Sequence, residues 1–92
     1  MDRSRVWDKK WRLVIFDIPE KKKPAREALR EKLKDLGFAK LQDSVWVTPF
    51  PCENEIKLIK LVFNLSDFWL DVILTDSIGL RDYQFRKLFD LT

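Results

Sequence analysis

A carboxylate and a run of lysines lie close together in the segment VIFDIPEKKKP, residues 14–24. Asp17 ends an apolar run, and three consecutive lysines follow Pro19. Carboxylates bind divalent metals, and lysines attract the phosphates of a nucleic-acid backbone. The structural alternative is that a strand ends at Asp17, whose carboxylate accepts hydrogen bonds from turn amides, and that solvated lysines precede a helix.

Basic charge is concentrated in residues 1–40, which carry 13 Lys or Arg against 7 Asp or Glu, whereas residues 41–92 carry 5 against 8. The candidate phosphate contacts cluster around the start of a predicted helix, where anions are favoured. They are Lys21, Lys22, Lys23, Arg26 and Arg30. Aromatic residues do not alternate with them, so we expect contact with the backbone rather than base reading. As the nucleic-acid partner we favour DNA over RNA. Alternatively, these charges form the solvated face of an amphipathic helix.

The composition argues against several other kinds of site. With no His and one cysteine, Cys52, the chain offers neither a zinc site of the usual kind nor a Cys–His pair nor an internal disulfide. Its two glycines form no nucleotide-binding loop. We therefore expect no required cofactor and leave Mg²⁺ at Asp17 open. No apolar run approaches the roughly 20 residues of a membrane span, and we expect a cytoplasmic protein that does not enter a membrane.

Hydrophobic periodicity predicts a single domain over residues 1–92 with the order strand, helix, strand, strand, helix, strand. Pro24 fits the first turn of the first helix, and Gly37 fits the position after its end. A tight turn near Gln42 and Asp43 joins the two middle strands. This order indicates an α+β, ferredoxin-like βαββαβ fold, with a four-stranded antiparallel sheet and both helices on one face. Residues 80–92 form a C-terminal extension of uncertain structure: helical spacing is present, but an additional strand stays open.

A sheet with both helices on one face leaves its other face in need of cover. Alternation along the strands places the small aliphatic residues Val45 and Val47 toward the helices. The residues assigned to the other face are Trp11, Leu13, Ile15, Trp46, Trp69 and Ile73. Because monomers rarely leave such a patch in water, we expect a homodimer that pairs these faces about a two-fold axis. That axis could bring two copies of Asp17 to one Mg²⁺ ion. The alternative is that the C-terminal extension folds back over the face.

The pattern WRLVIFDIPEKKKPAREALREKLKDLGFAKLQDSVWVTPFPCENEI, residues 11–56, closely resembles the central domain of PaaX-like transcriptional regulators, the phenylacetic acid degradation repressors. That domain is itself similar to the small ferredoxin-fold adaptation subunit of CRISPR systems. The CRISPR resemblance implies a dimer that bridges integrase subunits and touches the DNA backbone. For many members it also implies a metal-dependent nuclease that uses the Asp matching Asp17. The PaaX resemblance implies a dimerisation and spacing module.

The chain departs from a complete regulator because it has no winged-helix segment before Trp7 and no effector domain after Thr92. We therefore expect either an excised domain or a free-standing relative. The expected partners are a second copy, nucleic acid, and a CRISPR integrase subunit or the missing regulator domains. Our first hypothesis is a non-enzymatic dimeric module that contacts nucleic-acid backbone. The alternatives are a Mg²⁺-dependent endonuclease built on paired Asp17 and a purely structural dimerisation domain.

Overall fold

A computed structural model describes residues 6–91 of the chain. Its strands are β1 (Trp11–Phe16), β2 (Ala39–Gln42), β3 (Val45–Thr48) and β4 (Leu70–Thr75), and its helices are α1 (Lys23–Asp35), α2 (Glu53–Phe63) and α3 (Asp82–Leu88). Single 3-10 turns at Glu20–Lys22 and Gly79–Arg81 lead into α1 and α3. The predicted order of elements is confirmed, and the C-terminal addition forms a short helix.

The four strands form one antiparallel sheet with the order β2-β3-β1-β4. The first strand in the chain is therefore central, and β2 and β4 are the edges. Central pairing suits β1, because its residues Leu13 to Phe16 are all apolar and both faces of the strand need partners. This is the sheet order of a ferredoxin-like fold, and the predicted fold class is confirmed.

The ends of the two long helices follow the residues that the sequence offers for them. Pro24 stands in the first turn of α1, where a missing N–H costs nothing. Gly37 follows the helix with a φ of +91°, a conformation that a side chain disfavours. In α2, Asn64 takes the left-handed C-cap conformation, and Glu53 and Glu55 occupy the first turn.

The main core lies between the sheet and the helices α1 and α2. Leu29 and Leu33 of α1 and Ile56 and Ile59 of α2 are buried in it. From the sheet it receives the even-numbered residues Val14, Phe16, Trp46 and Leu70. The odd-numbered residues of β1, β3 and β4 consequently lie on the opposite face, called the second face below. These are Trp11, Leu13, Ile15, Val45, Val47, Asp71, Ile73 and Thr75.

The predicted placement of β3 was wrong. Trp46, expected on the second face, is 6% exposed and packs in the helix-side core, whereas Val45 and Val47 belong to the second face. The reason is register: Trp46 pairs with Val14 of β1, and paired residues share a face. Residue size, on which the prediction relied, is a weaker constraint than alternation against the central strand.

Trp69 is also misplaced in the sequence prediction, since it packs against the helix-side core. It precedes the first residue of β4 and lies in the turn between α2 and β4. Strand alternation does not govern a residue in a turn, so the parity argument that placed Trp69 on the second face did not apply. The other four predicted residues, Trp11, Leu13, Ile15 and Ile73, do belong to the second face.

The C-terminal extension covers one end of the second face, as the alternative interpretation had it. Phe85 of α3 is 7% exposed and forms a cluster with Trp11 and Val47, and Phe89 packs against the same cluster. The Trp11 indole N–H donates to the Asp82 carboxylate over 2.9 Å. The extension thus caps the Trp11 indole within its own chain.

Candidate nucleic-acid interface and assembly face

The three lysines 21–23 lie at a corner of the molecule where β1 ends and α1 begins, and are called the lysine corner. Ile18, 3% exposed, anchors the connection in the core, and the next residues form the 3-10 turn that leads into α1. Lys21 and Lys23 are exposed, and Lys22 is half-buried. Among the described residues, no carboxylate lies within ion-pair distance of Lys21 or Lys23. Their ammonium groups are free to meet an external anion.

The two predicted arginine contacts are occupied within the chain. Arg26 pairs with Glu20 over 3.2 Å, and Arg30 pairs with Glu27 over 2.8 Å. Arg30 also donates through Nε to the carbonyl oxygen of Asp43, 3.1 Å away, which ties α1 to the β2–β3 turn. These guanidinium groups therefore have structural roles, and an anion would have to compete with a carboxylate for each.

An aromatic pair, which the sequence reasoning did not connect with the lysines, adjoins the lysine corner. The Lys22 Nζ lies 5.1 Å from the centroid of the Trp69 ring, within cation–π range. Phe68, the preceding residue, is 97% exposed. Lysines and aromatics that are 46 residues apart in the sequence meet because β4 pairs with β1. In that pairing the N–H of Asp17 donates to the Trp69 carbonyl over 2.8 Å.

The turn that carries this aromatic pair is held at both ends. Asn64 closes α2 in a left-handed conformation, and Lys60 forms a 2.7 Å ion pair with Asp67. The hydrogen bond from Lys60 lowers the pKa of the Asp67 carboxyl. Asp67 is therefore ionised and neutralised by Lys60 near pH 7, so that it adds little repulsion toward an anion beside Phe68.

Asp17 is exposed and is the next residue of the odd-numbered series after Ile15. The structural interpretation expected turn amides to donate to its carboxylate, but no such hydrogen bond is found within residues 6–91. Asp71 lies diagonally opposite on β4, through its pairing with Ile15. Residues 6–91 nevertheless contain no group of three or more His, Cys, Asp or Glu that could hold a metal ion.

The part of the second face beyond α3 is a strip of apolar side chains bordered by the exposed Asp71, which pairs with Ile15. Ile15 and Val45 are paired and half-buried, and Ile73, paired with Leu13, is 44% exposed. At the covered end, Arg81 donates to the Leu41 carbonyl over 2.6 Å. The C-terminal extension therefore reaches across the second face toward β2, and the strip near β4 stays exposed to solvent.

Two further features bear on possible sites. Burial of Cys52, with Glu53 and Glu55 nearby, raises the pKa of its thiol to about 12, so it is not a reactive nucleophile. A groove of about 360 Å³, lined mainly by apolar side chains, lies between α1 and α2. Its lining includes Leu58 and Val62, which are 61% and 67% exposed.

None of the helices within residues 6–91 has the length and apolar character needed to cross a membrane.

Comparison with known proteins gives one family. The family model described as the PaaX protein central Cas2-like domain matches residues 4–84, from the N-terminal segment into α3. No curated protein and no solved structure gives a significant match. The match covers far more than half of the chain and includes all four strands, the lysine corner and Asp17. The chain belongs to the PaaX protein central Cas2-like domain family.

Proposed function

We propose that this domain is an assembly module of a PaaX-type regulator. It joins two copies through the second face of the sheet and contacts nucleic-acid backbone through the lysine corner. Family membership supports the regulator context, since the matching model is described as the central domain of a larger protein.

The observation that carries the dimer proposal is the apolar strip that α3 leaves uncovered. Ile73 is 44% exposed, and it lies beside the half-buried Leu13, which is followed on the same face by Ile15. Full burial of an isoleucine side chain contributes roughly 1.5–3 kcal/mol, so burying the exposed part of Ile73 would contribute about 1 kcal/mol per copy. A two-fold axis doubles each such contribution, because both copies present the same surface.

The substitution Ile73→Glu tests this interface. It would place two carboxylates in the pairing surface and raise the dimer dissociation constant by at least about tenfold, measured by sedimentation velocity over a concentration series. Leu58→Glu is the matched control, since Leu58 is 61% exposed on α2, away from the sheet. Dissociation by Leu58→Glu with an intact dimer in Ile73→Glu would place the interface on the helices and contradict the proposal.

The nucleic-acid proposal rests on Lys21 and Lys23, which have no ion pair with any carboxylate of residues 6–91, beside a third lysine, Lys22. Exposed lysines without carboxylate partners release counterions when they meet phosphates, and this release drives backbone binding. The ion pairs of Arg26 and Arg30 reduce their contribution, so the lysines are the primary contacts.

The double substitution Lys21→Gln/Lys23→Gln tests the lysine contact. It should reduce the magnitude of the negative slope of log K against log salt by about 1.8 on duplex DNA, because each phosphate contact contributes about 0.9. Lys32→Gln/Lys34→Gln is the control, since these lysines are exposed at the far end of α1. Negligible binding by the wild type at low salt would refute nucleic-acid contact and leave a purely structural dimerisation domain.

An endonuclease is the second candidate, favoured by the exposed Asp17 carboxylate, which no described residue binds. In this candidate a two-fold axis brings two copies of Asp17 to one Mg²⁺ ion, because the described residues of one chain contain no group of three or more possible metal ligands. Asp17→Asn should then abolish Mg²⁺-dependent cleavage of plasmid DNA, while Asp35→Asn, at the exposed C-terminal end of α1, serves as the control. Equal activity in the wild type and Asp17→Asn would exclude this candidate.

A further inference from the structure

The Phe68 side chain belongs to neither of the hydrophobic clusters formed by the described residues. Phe68 is 97% exposed, whereas the following residue, Trp69, packs against the helix-side core. The turn is anchored by the Lys60–Asp67 ion pair and by the bond between the Asp17 amide and the Trp69 carbonyl. Phe68 is thus presented to solvent on a turn fixed from both sides.

The charge around Phe68 distinguishes between classes of partner. Lys22 lies over the Trp69 ring, and its chain neighbours Lys21, on the same 3-10 turn, and Lys23, the first residue of α1, are exposed. Asp67 is paired with Lys60 and Glu20 with Arg26, which leaves Asp17 and, diagonally opposite it, Asp71 as the carboxylates at this corner without an ion pair among the described residues. An apolar protein surface that covered Phe68 would also have to desolvate the adjacent ammonium groups, which is costly. A nucleotide supplies a phosphate for the lysines and a flat ring for Phe68.

We propose that Phe68, backed by Trp69 and the lysine corner, is a stacking platform for an unpaired nucleobase. The proposal rests on the proposed nucleic-acid contact and narrows it to single-stranded segments or frayed ends. Bases inside a duplex have both faces stacked and cannot reach an aromatic ring on a surface turn. Stacking on aromatic side chains tolerates any base, so no sequence preference is expected. DNA and RNA offer the same ring and phosphate chemistry.

The experiment compares probes with equal numbers of phosphates but different bases. Fluorescence anisotropy is measured with a 12-nucleotide oligothymidine, the corresponding oligouridine, an abasic 12-mer and a 12-base-pair duplex. Wild-type protein should bind at least one of the two base-bearing single strands about fivefold or more tightly than the abasic strand. The relative affinity of the thymidine and uridine probes then assigns the preference between DNA and RNA.

Phe68→Ala should remove this preference, weakening the favoured single strand by about fivefold or more while leaving the abasic strand and duplex unchanged. Tyr83→Ala is the matched control, an aromatic that is 68% exposed on α3. It should change none of the affinities. Thermal unfolding should be unaltered in both variants, because neither side chain is buried.

Three results would overturn the proposal. One is equal binding of oligothymidine, oligouridine and the abasic strand by the wild type, which would leave backbone contact intact and remove the stacking role. A second is equal weakening of all probes by Phe68→Ala. The third is a shift of the monomer–dimer equilibrium by Phe68→Ala with unchanged binding, which would assign Phe68 to a contact between copies. Absence of binding to any probe, by contrast, would refute the nucleic-acid contact itself.

Discussion

Removal of the Phe85 side chain should release the C-terminal helix from the sheet while the rest of the domain stays folded. Phe85 is 7% exposed and lies against Trp11 and Val47, so Phe85→Ala removes nearly the whole buried ring. Such substitutions cost about 3–5 kcal/mol. A helix of seven residues has little stability of its own, so docking decides whether α3 forms. A loss of about 3 kcal/mol raises the open population by roughly 150-fold.

Hydrogen exchange with mass spectrometry measures this opening. Amides of Asp82–Leu88 should exchange about 100-fold faster in Phe85→Ala, whereas those of β1 and α1 should change little. The Trp11–Asp82 and Arg81–Leu41 hydrogen bonds remain in Phe85→Ala and still hold α3 on the sheet. They therefore limit how much faster the α3 amides exchange. Tyr83→Ala, at an exposed position of the same helix, should change exchange by no more than about twofold.

Uniformly faster exchange throughout the chain would contradict this reasoning, because it would mean that α3 unfolds only together with the sheet. Unchanged exchange in α3 would contradict it more directly, since Phe85 would then not hold the helix in place. The comparison also bears on assembly, because an undocked α3 uncovers the Trp11 end of the second face.

Three other outcomes are expected. The Arg12 hydrogen bonds hold the pKa of Asp8 at about 2, below its ordinary 3.8. The ionised carboxylate therefore stabilises the fold above about pH 4, and this contribution is lost as the pH falls toward 2. In urea unfolding, the difference in free energy of unfolding between wild type and Asp8→Asn should shrink over that pH range, and a constant difference would refute this role of Asp8. Because burial raises the pKa of Cys52 to about 12, iodoacetamide at about pH 8 should label the thiol only after the protein unfolds. Rapid labelling of the native protein would contradict the conclusion that Cys52 is a buried, unreactive thiol. Gly37→Ala should lower the free energy of unfolding by about 1–2 kcal/mol, measured in urea. The cause is backbone strain alone, because Gly37 has a φ of +91° and an added Cβ meets nothing within 4 Å. An unchanged urea midpoint would show that the backbone conformation carries no such strain.

Local signals in the sequence were sufficient for the elements and their order. Pro24, Gly37 and Asn64 mark helix ends by backbone chemistry that holds in any tertiary context. The apolar run that ends at Asp17 marked the first strand, and the order of elements then left few topologies to consider.

The faces of the sheet were less predictable, because they depend on pairing. Trp46 follows the parity of Val14, which no local signal reports, and Trp69 lies in a turn that the strand composition concealed. The corner formed by Phe68, Trp69 and the lysines also depends on β1–β4 pairing. Sequence reasoning found its basic component, but the aromatic component lies 46 residues away.

The mass of the wild-type protein in solution tests the central claim, that the strip left open by α3 is where two copies meet. Sedimentation equilibrium at micromolar concentration should give twice the chain mass of 11.1 kDa, and the dimer should dissociate on introduction of Ile73→Glu. A single-chain mass across the whole concentration range would contradict the account, because the strip would then be stable in water without a partner.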